Sequence, residues 1–358
     1  MNRAAIARRS RGFSLVELMV ALTIGGLLIT GTVFVYSQSR TTFTLNEAQA
    51  RLQEDARYVM SVIEPEIQLA GYYGFTNQAG NMQFWNAGVQ THVSALRQDD
   101  PQFASVPAAV HNCGDNWVLD LFMSVQGSDN TYDWAPNGAN CGASGGGAVA
   151  NTDTLTIRRA AVATSAPATT RLQIYTNRLA PNENYLFRAA AAPGPVVANL
   201  TEVRNLVVQG YYISRNSVGI NGLPALRRRS LIVGPAWQDE EIMRGVEDLQ
   251  VQFGIDVGDD LDGDGNPDDV LGDGTADFVD GNATRYVDPD DPILTSAQIV
   301  SVRIWLRVRA VAPEPGYVNN NQYVYGSTDF TADDNIRRVV VSRTIQLRNA
   351  RLFTEVET

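Results

Sequence analysis

The chain has 358 residues, of which 44% are hydrophobic and 19% charged, and its formal net charge is -11. That composition supplies a real apolar core and rules out wholesale disorder. The acidic balance excludes nucleic acid as the main partner, because phosphate binding needs clustered Lys and Arg, and it is compatible with cation binding and an exported location.

Residues 1–12 carry Arg3, Arg8, Arg9 and Arg11 and no acid. Residues 13–36 then run apolar with a single charge, Glu17. Their length suits a membrane-spanning helix of about 20 residues. The arginines hold 1–12 in the cytoplasm by the positive-inside rule, which places the body after Tyr36 beyond the inner membrane. An ordinary secretory signal has a shorter apolar core followed by a small-residue cleavage site. A twin-arginine signal, suggested by Arg8-Arg9, fits poorly with an acid inside the apolar run. A plain anchor leaves Glu17 unexplained, since a carboxylate in hydrocarbon costs several kcal/mol unless paired. The plainest account of Glu17 is an acid at a helix start, favoured by the dipole.

Arg11-Gly12-Phe13-Ser14-Leu15-Val16-Glu17-Leu18 resembles the prepilin cleavage and methylation motif. The resemblance implies that a membrane-embedded prepilin peptidase cuts after Gly12 and that Phe13 becomes the N-methylated terminus. It also implies that Glu17 pairs with the new ammonium during assembly. Either charge alone is costly in lipid, and the pair is tolerable.

Beyond Tyr36, Leu45, Ala48, Leu52, Ala56, Val59, Ile63, Ile67 and Ala70 recur at helical spacing and predict one apolar face of a long amphipathic helix. A coiled-coil seam between copies gives a similar pattern. Pro65 predicts a kink or restart near Ser61–Glu64, and Gly71 an end. Four segments follow: a leader 1–12, a helix 13–71 with 13–36 in the membrane, a loop-rich stretch 72–150, and a β-rich head 151–358. Cys113 and Cys141 fall in the loop-rich stretch, beside the low-complexity run Gly142–Gly147. They are either two unrelated buried thiols or, given export, a disulfide contributing about 3 kcal/mol.

In the head, Thr154–Arg158, Leu172–Tyr175, Leu206–Ile213 and Arg228–Val233 read as strands. In Ile299–Val311, Val300, Val302, Ile304, Leu306 and Val308 alternate with Ser301, Arg303, Trp305, Arg307 and Arg309. Val339–Arg348 shows a similar face. Such alternation marks half-buried antiparallel strands, with the arginines as solvated outer positions. The predicted class is α+β, a long N-terminal helix packed on an antiparallel, β-rich head.

The body also resembles the PilW family of type IV pilus minor pilins. The resemblance is carried by Ala56-Arg57-Tyr58 with Gln68–Gly74, by Asp153–Ile157, by Gly245-Val246-Glu247-Asp248-Leu249-Gln250-Val251-Gln252-Phe253-Gly254-Ile255-Asp256, and by Thr344–Asn349. It implies a role in priming or assembling a pilus, near its tip. The implied partners are other minor pilins, the major pilin, prepilin peptidase and a tip adhesin. A type II secretion pseudopilin of the J kind shares the leader and helix. A calcium-dependent surface adhesin is the reading from another class.

Residues 256–282 form an acidic stretch in which Asp260, Asp262 and Asp264 are spaced by two, followed by Gly265, Asp268 and Asp269. Alternate carboxylates in a tight loop converge on one Ca²⁺, as in the first half of an EF-hand loop, although the twelfth position is Leu271 rather than glutamate. A solvated acidic loop is the alternative. Asp273, Asp277 and Asp280 make a weaker second set, and Asp288–Asp291 reads as a turn. His92 and His111 are the only histidines. With no nucleophile elbow, phosphate loop or zinc spacing, the sequence predicts no enzyme.

Overall fold

The computed structural model describes residues 12, 14–77, 82–86, 89–92, 120–134, 141–180, 182–256, 281–295 and 297–350. The chain divides into two compact units, Met1–Arg51 and Leu52–Thr358. One helix, α1 (Leu15–Gln68), supplies residues to both.

In the first unit α1 is exposed along its apolar length, with Leu15 at 76% and Phe34 at 70%. It is long and apolar enough to cross a membrane.

The second unit starts with the last turns of α1. Leu52, Ala56, Val59, Ile63 and Ile67 are buried there, as their spacing predicts, and Met60 is buried beside them. Each fully buried aliphatic side chain contributes roughly 1.5–3 kcal/mol. Pro65 lies inside the helix, which neither ends nor restarts at Ser61–Glu64. Ser61 and Pro65 are both exposed, so the Ser61 carbonyl, denied a donor by the proline, opens to water instead of to core. The helix ends at Gln68. Its carbonyl accepts the Arg348 amide at 3.2 Å, and Gly71 takes a left-handed φ of 75°. A side chain at Gly71 would meet the Asn349 carbonyl at 2.9 Å. Arg159 holds Glu66 at 2.6 Å and Arg343 holds Glu64, so two ion pairs tie these turns to the strands.

The strands in chain order are β1 (Met82–Asn86), β2 (Val89–His92), β3 (Val125–Ser128), β4 (Thr154–Thr164), β5 (Gln173–Asn177) and β6 (Asn184–Phe187). Next come β7 (Thr201–Ser214), β8 (Ala225–Ile232), β9 (Ala236–Arg244) and β10 (Val246–Asp256). The last are β11 (Arg285–Val287), β12 (Gln298–Arg309), β13 (Gln322–Tyr325), β14 (Thr328–Thr331) and β15 (Arg338–Gln346). A nine-stranded sheet runs β2-β1-β6-β5-β7-β4-β3, with β8 added on β7 and β9 on β8. The β1–β6 pair is parallel, and every other pairing among its described strands is antiparallel. A second sheet, β11-β10-β12-β15, is antiparallel throughout, and β13–β14 is a separate hairpin. The predicted α+β class holds.

The long strand β7 organises the larger sheet. Its Tyr211 and Ile213 join one core with the buried residues of α1 and with Leu249, Val251 and Phe253 of β10 and Ile304 and Leu306 of β12. Its Leu206, Val208 and Tyr212 point into a second core with Met82, Phe84, Trp134 and Cys141. Both faces of this sheet are therefore covered. Asp288–Asp291 is a turn, with the Asp291 amide donating to the Asp288 carbonyl at 3.1 Å.

Candidate functional site

Two places stand out, one in each unit, and only the first holds functional residues expected from sequence. In the first unit Gly12 lies outside the helix, which begins at Leu15. Ser14 is the N-cap. Its carbonyl accepts the first helical amide, Leu18, at 3.1 Å. Its hydroxyl accepts the Glu17 amide at 3.1 Å, while its own amide donates to the Glu17 carboxylate at 3.2 Å. This reciprocal arrangement is a capping box, written in the sequence as Ser-Leu-Val-Glu. Two of the amides that a helix start leaves unpaired are satisfied, and the carboxylate sits at the positive end of the dipole. Phe13 lies outside the described residues.

The second place is the face of the four-stranded sheet turned away from α1. Arg303, Arg307 and Arg309 of β12 share that face, where solvated positions were expected. The structure overturns that expectation for Arg307, which is 9% exposed, and Arg309 is partly buried. The hairpin β13–β14 covers Arg307 through Tyr325 and Phe330. Glu247, at the start of β10, accepts from Arg338 at 2.6 Å and 3.1 Å, from Arg307 at 3.1 Å and from Arg309 at 3.4 Å. Asp334 pairs with Arg338 at 2.7 Å, and Arg338's hydrogen bonds hold its carboxyl down at about 2. Tyr325 donates to Asp248 at 2.6 Å and accepts from Arg307 at 2.8 Å. Burial, with Asp248 beside it, pushes that phenol above its ordinary value. The Phe330 ring lies 3.9 Å from the Arg307 guanidinium, a close cation–π contact.

The hairpin turn Gly326-Ser327 docks on Gln250, with Ser327 donating to its side-chain carbonyl at 2.9 Å. A side chain at Gly326 would meet Gln250 Cβ at 3.1 Å. Three acids and three arginines thus balance in a shielded cluster whose product is a fixed hairpin rather than a reactive group. Sequence reasoning missed it. The available signal was the acidic pair Glu247-Asp248 heading an otherwise strand-like run.

Asp153 joins this region to the larger sheet. It is 1% exposed, and its two oxygens accept the Asn130 amide at 2.9 Å and the Val251 amide at 2.7 Å. Burial pushes its carboxyl up to about 7, opposed by those two amides and helped by Asp129 and Asp248. An unfolded aspartate loses its proton near pH 4. Between roughly pH 4 and pH 7 the unfolded chain therefore binds fewer protons at this position. Its contribution falls as pH rises, by at most about 1.4 kcal/mol per pH unit. Urea unfolding at pH 4.5 and pH 7 is expected to show wild type losing more stability across this window than Asp153→Asn.

Cys141 is fully buried against Trp134 and Tyr212. Its carbonyl accepts from Tyr132 at 2.6 Å, and it is not a free thiol. Cys113 lies outside the described residues. The neighbouring run is built rather than featureless. Gly145, Gly146 and Gly147 all have positive φ, and the carbonyls of Gly145 and Gly147 accept the Asn216 and Arg215 amides at 2.9 Å. A side chain at Gly145 would meet the Asn216 carbonyl at 2.5 Å.

Asp260, Asp262, Asp264, Asp268 and Asp269 lie outside the described residues, as do Asp273, Asp277 and Asp280. The flanks of that stretch meet: Gly281 donates to the buried Asp256 carboxylate at 2.7 Å, and Thr284 to the Ile255 carbonyl at 2.8 Å. Among the described residues, no three His, Cys, Asp or Glu side chains are grouped to hold a metal.

Residues 210–349 match the family described as type IV pilus-assembly protein W. Residues 7–33 match the prokaryotic N-terminal methylation motif. The first match runs from β7 through β15 and includes the whole Glu247 cluster. The segments Ala56–Tyr58, Gln68–Gly74 and Asp153–Ile157 lie before it. No curated protein and no solved structure matches the chain. A methylation motif thus stands at the head of an exposed apolar helix, and residues 210–349 of the head are similar to the type IV pilus-assembly protein W family.

Proposed function

We propose that this chain is a minor pilin that primes or assembles a type IV pilus near its tip, beside other minor pilins and the major pilin. Prepilin peptidase removes residues 1–12, Phe13 becomes the methylated terminus, and residues 13–36 hold the precursor in the inner membrane of a Gram-negative bacterium with the head periplasmic. Its role is structural rather than enzymatic. The observation that carries this reading is the methylation motif and the pilus-assembly region in one chain. A head of this size is awkward for a repeating major subunit and suits one of few copies. Co-purification from cells expressing both systems tests it: recovery of minor pilins is expected, and recovery of type II secretion pseudopilins alone would overturn it. A tip adhesin among the partners would extend the reading, whereas adhesion by this chain in cells without pili would favour the adhesin reading.

Two further proposals concern the head. Cys113 pairs with Cys141, consistent with export and with Cys141 not being free. The stretch with Asp260, Asp262, Asp264, Asp268 and Asp269 holds a structural Ca²⁺, supported by its spacing and by the closed base at Asp256 and Gly281. Calcium is expected to raise the melting temperature of wild type, and EDTA to reverse the rise. Asp262→Ala with Asp264→Ala is expected to abolish it. A wild type indifferent to calcium would retire the site.

A further inference from the structure

We infer that the part of the four-stranded sheet's outer face left open beside the hairpin is a protein-docking surface, with Arg303 as the anchor for an acidic side chain of a neighbouring subunit. This deepens the assembly reading above and rests on it for the identity of the neighbour. On the face turned away from α1, the hairpin turn reaches Gln250 and Trp305. A side chain built on Gly326 would meet Gln250 Cβ at 3.1 Å and the Trp305 ring at 3.6 Å. Past that line, register sets Tyr286 of β11, Gly254 of β10, Ser301 and Arg303 of β12 and Thr344 of β15 on one face. Ser342, Thr344 and Gln346 of β15 are exposed there.

Arg303 is held in place on this face. Gly254 makes room for its support: a side chain at Gly254 would meet the Tyr286 ring at 2.9 Å. Tyr286 takes that space, with its hydroxyl 3.3 Å from the Ser301 hydroxyl and its ring centre 3.5 Å from the Arg303 guanidinium. The Trp305 ring lies 5.8 Å from the same group, and the Thr344 hydroxyl accepts its Nε–H at 3.2 Å. What Arg303 lacks is an acid. Arg307 and Arg309 on the same strand both reach Glu247. Among the described residues no carboxylate pairs with Arg303, and Asp288, just past β11, is engaged by Gln252 at 3.0 Å.

A planar guanidinium matches a carboxylate with two parallel hydrogen bonds. Stacking and the Thr344 bond have already fixed this one, so little side-chain freedom remains to be lost on binding. A polyanion such as nucleic acid needs several clustered cations, and it would meet a chain of net charge -11. A single carboxylate among neutral residues avoids that repulsion. The setting selects a protein as its carrier. Tyrosine, tryptophan and arginine are the residues enriched at the energetic centre of protein interfaces, and here Tyr286, Arg303 and Trp305 adjoin. Gln252, Ser342, Thr344 and Gln346 supply the polar rim.

The test puts a photo-crosslinking benzoylphenylalanine in place of Ser342, in the full-length chain in the membrane of its host. Light is expected to join it to a second pilin, at a peptide containing Asp or Glu. Arg303→Gln is expected to lower that yield about tenfold, the fold-change of one lost charge-assisted hydrogen bond. Arg303→Lys, which keeps the charge without the fork, is expected to restore it in part. Arg303→Glu, combined with arginine in place of the linked acid, is expected to recover the adduct. The melting temperature of Arg303→Gln is expected within about 2 °C of wild type, so a lost adduct is not unfolding. Arg343→Gln, whose arginine pairs with Glu64 on the opposite face, is expected to leave the yield unchanged. A yield indifferent to Arg303→Gln overturns the inference. So does an adduct formed only with lipid or only between copies of this chain, or no adduct at all. An Arg303-dependent adduct with a protein that is not a pilin upholds the docking surface and refutes the pilus reading.

Discussion

Glu247→Ala is expected to destabilise the head by about 3–5 kcal/mol, the usual cost of removing one partner from a buried ionic cluster. Among the described residues, Glu247 is the only acid that Arg307, Arg309 and Arg338 all contact. Without it Arg309 loses its ion-pair partner, Arg307 keeps Asp248 at 3.7 Å, and Arg338 keeps Asp334. Positive charge is then in excess beneath the hairpin, and water must enter to solvate it. The hairpin should therefore loosen before the sheet does. Calorimetry should show a melting temperature lower by roughly 10 °C, and limited proteolysis should cut first in residues 320–332. Arg51→Ala supplies the contrast. Its pair with Glu47 is 2.6 Å long but exposed, and its loss should be within about 0.5 kcal/mol of neutral. A Glu247 variant as stable as the Arg51 variant would show that the cluster does not hold the hairpin.

The second large effect separates processing from assembly. On the proposed reading, Gly12→Val leaves only full-length precursor in the membrane, because the peptidase requires a small residue before the cut. Glu17→Leu is expected to be exported and cut but absent from sheared pili. It removes the carboxylate that pairs with the new ammonium while keeping an apolar helix. It also removes the carboxylate half of the capping box, leaving the Ser14 amide without that acceptor. Immunoblots of membrane and pilus fractions distinguish the two variants. Mature-length protein from Gly12→Val would contradict the cut site, and Glu17→Leu present in pili at wild-type level would remove the assembly role from that residue.

Several of these features were legible in the sequence for reasons that can be named. Leu52, Ala56, Val59, Ile63 and Ile67 repeat at helical spacing because one face packs on the sheets. β12 and β15 were legible because their apolar residues alternate. The strand β10 reads in the sequence as a family segment and not as a strand. It is buried along nearly its whole length, with Asp248 and Gln250 buried beside Leu249 and Val251, so it shows no alternation. The arginines of β12 were misread because their cover comes from a hairpin, and alternation reports that a strand has two faces without saying what lies on them. Pro65 was weighed as a breaker, yet its place on the exposed side lets the helix continue. Ser14 and Glu17 have capping-box spacing in the sequence, but a charge inside an apolar run reads first as a membrane feature.

The central claim is that this chain is a processed pilin, and the mass of its N-terminus tests it most directly. Protein isolated from the membrane of its host, digested and analysed by mass spectrometry, is expected to begin at Phe13 carrying one added methyl group. An N-terminal peptide that retains Arg11 and Gly12, or one that begins elsewhere in the apolar run, would contradict it.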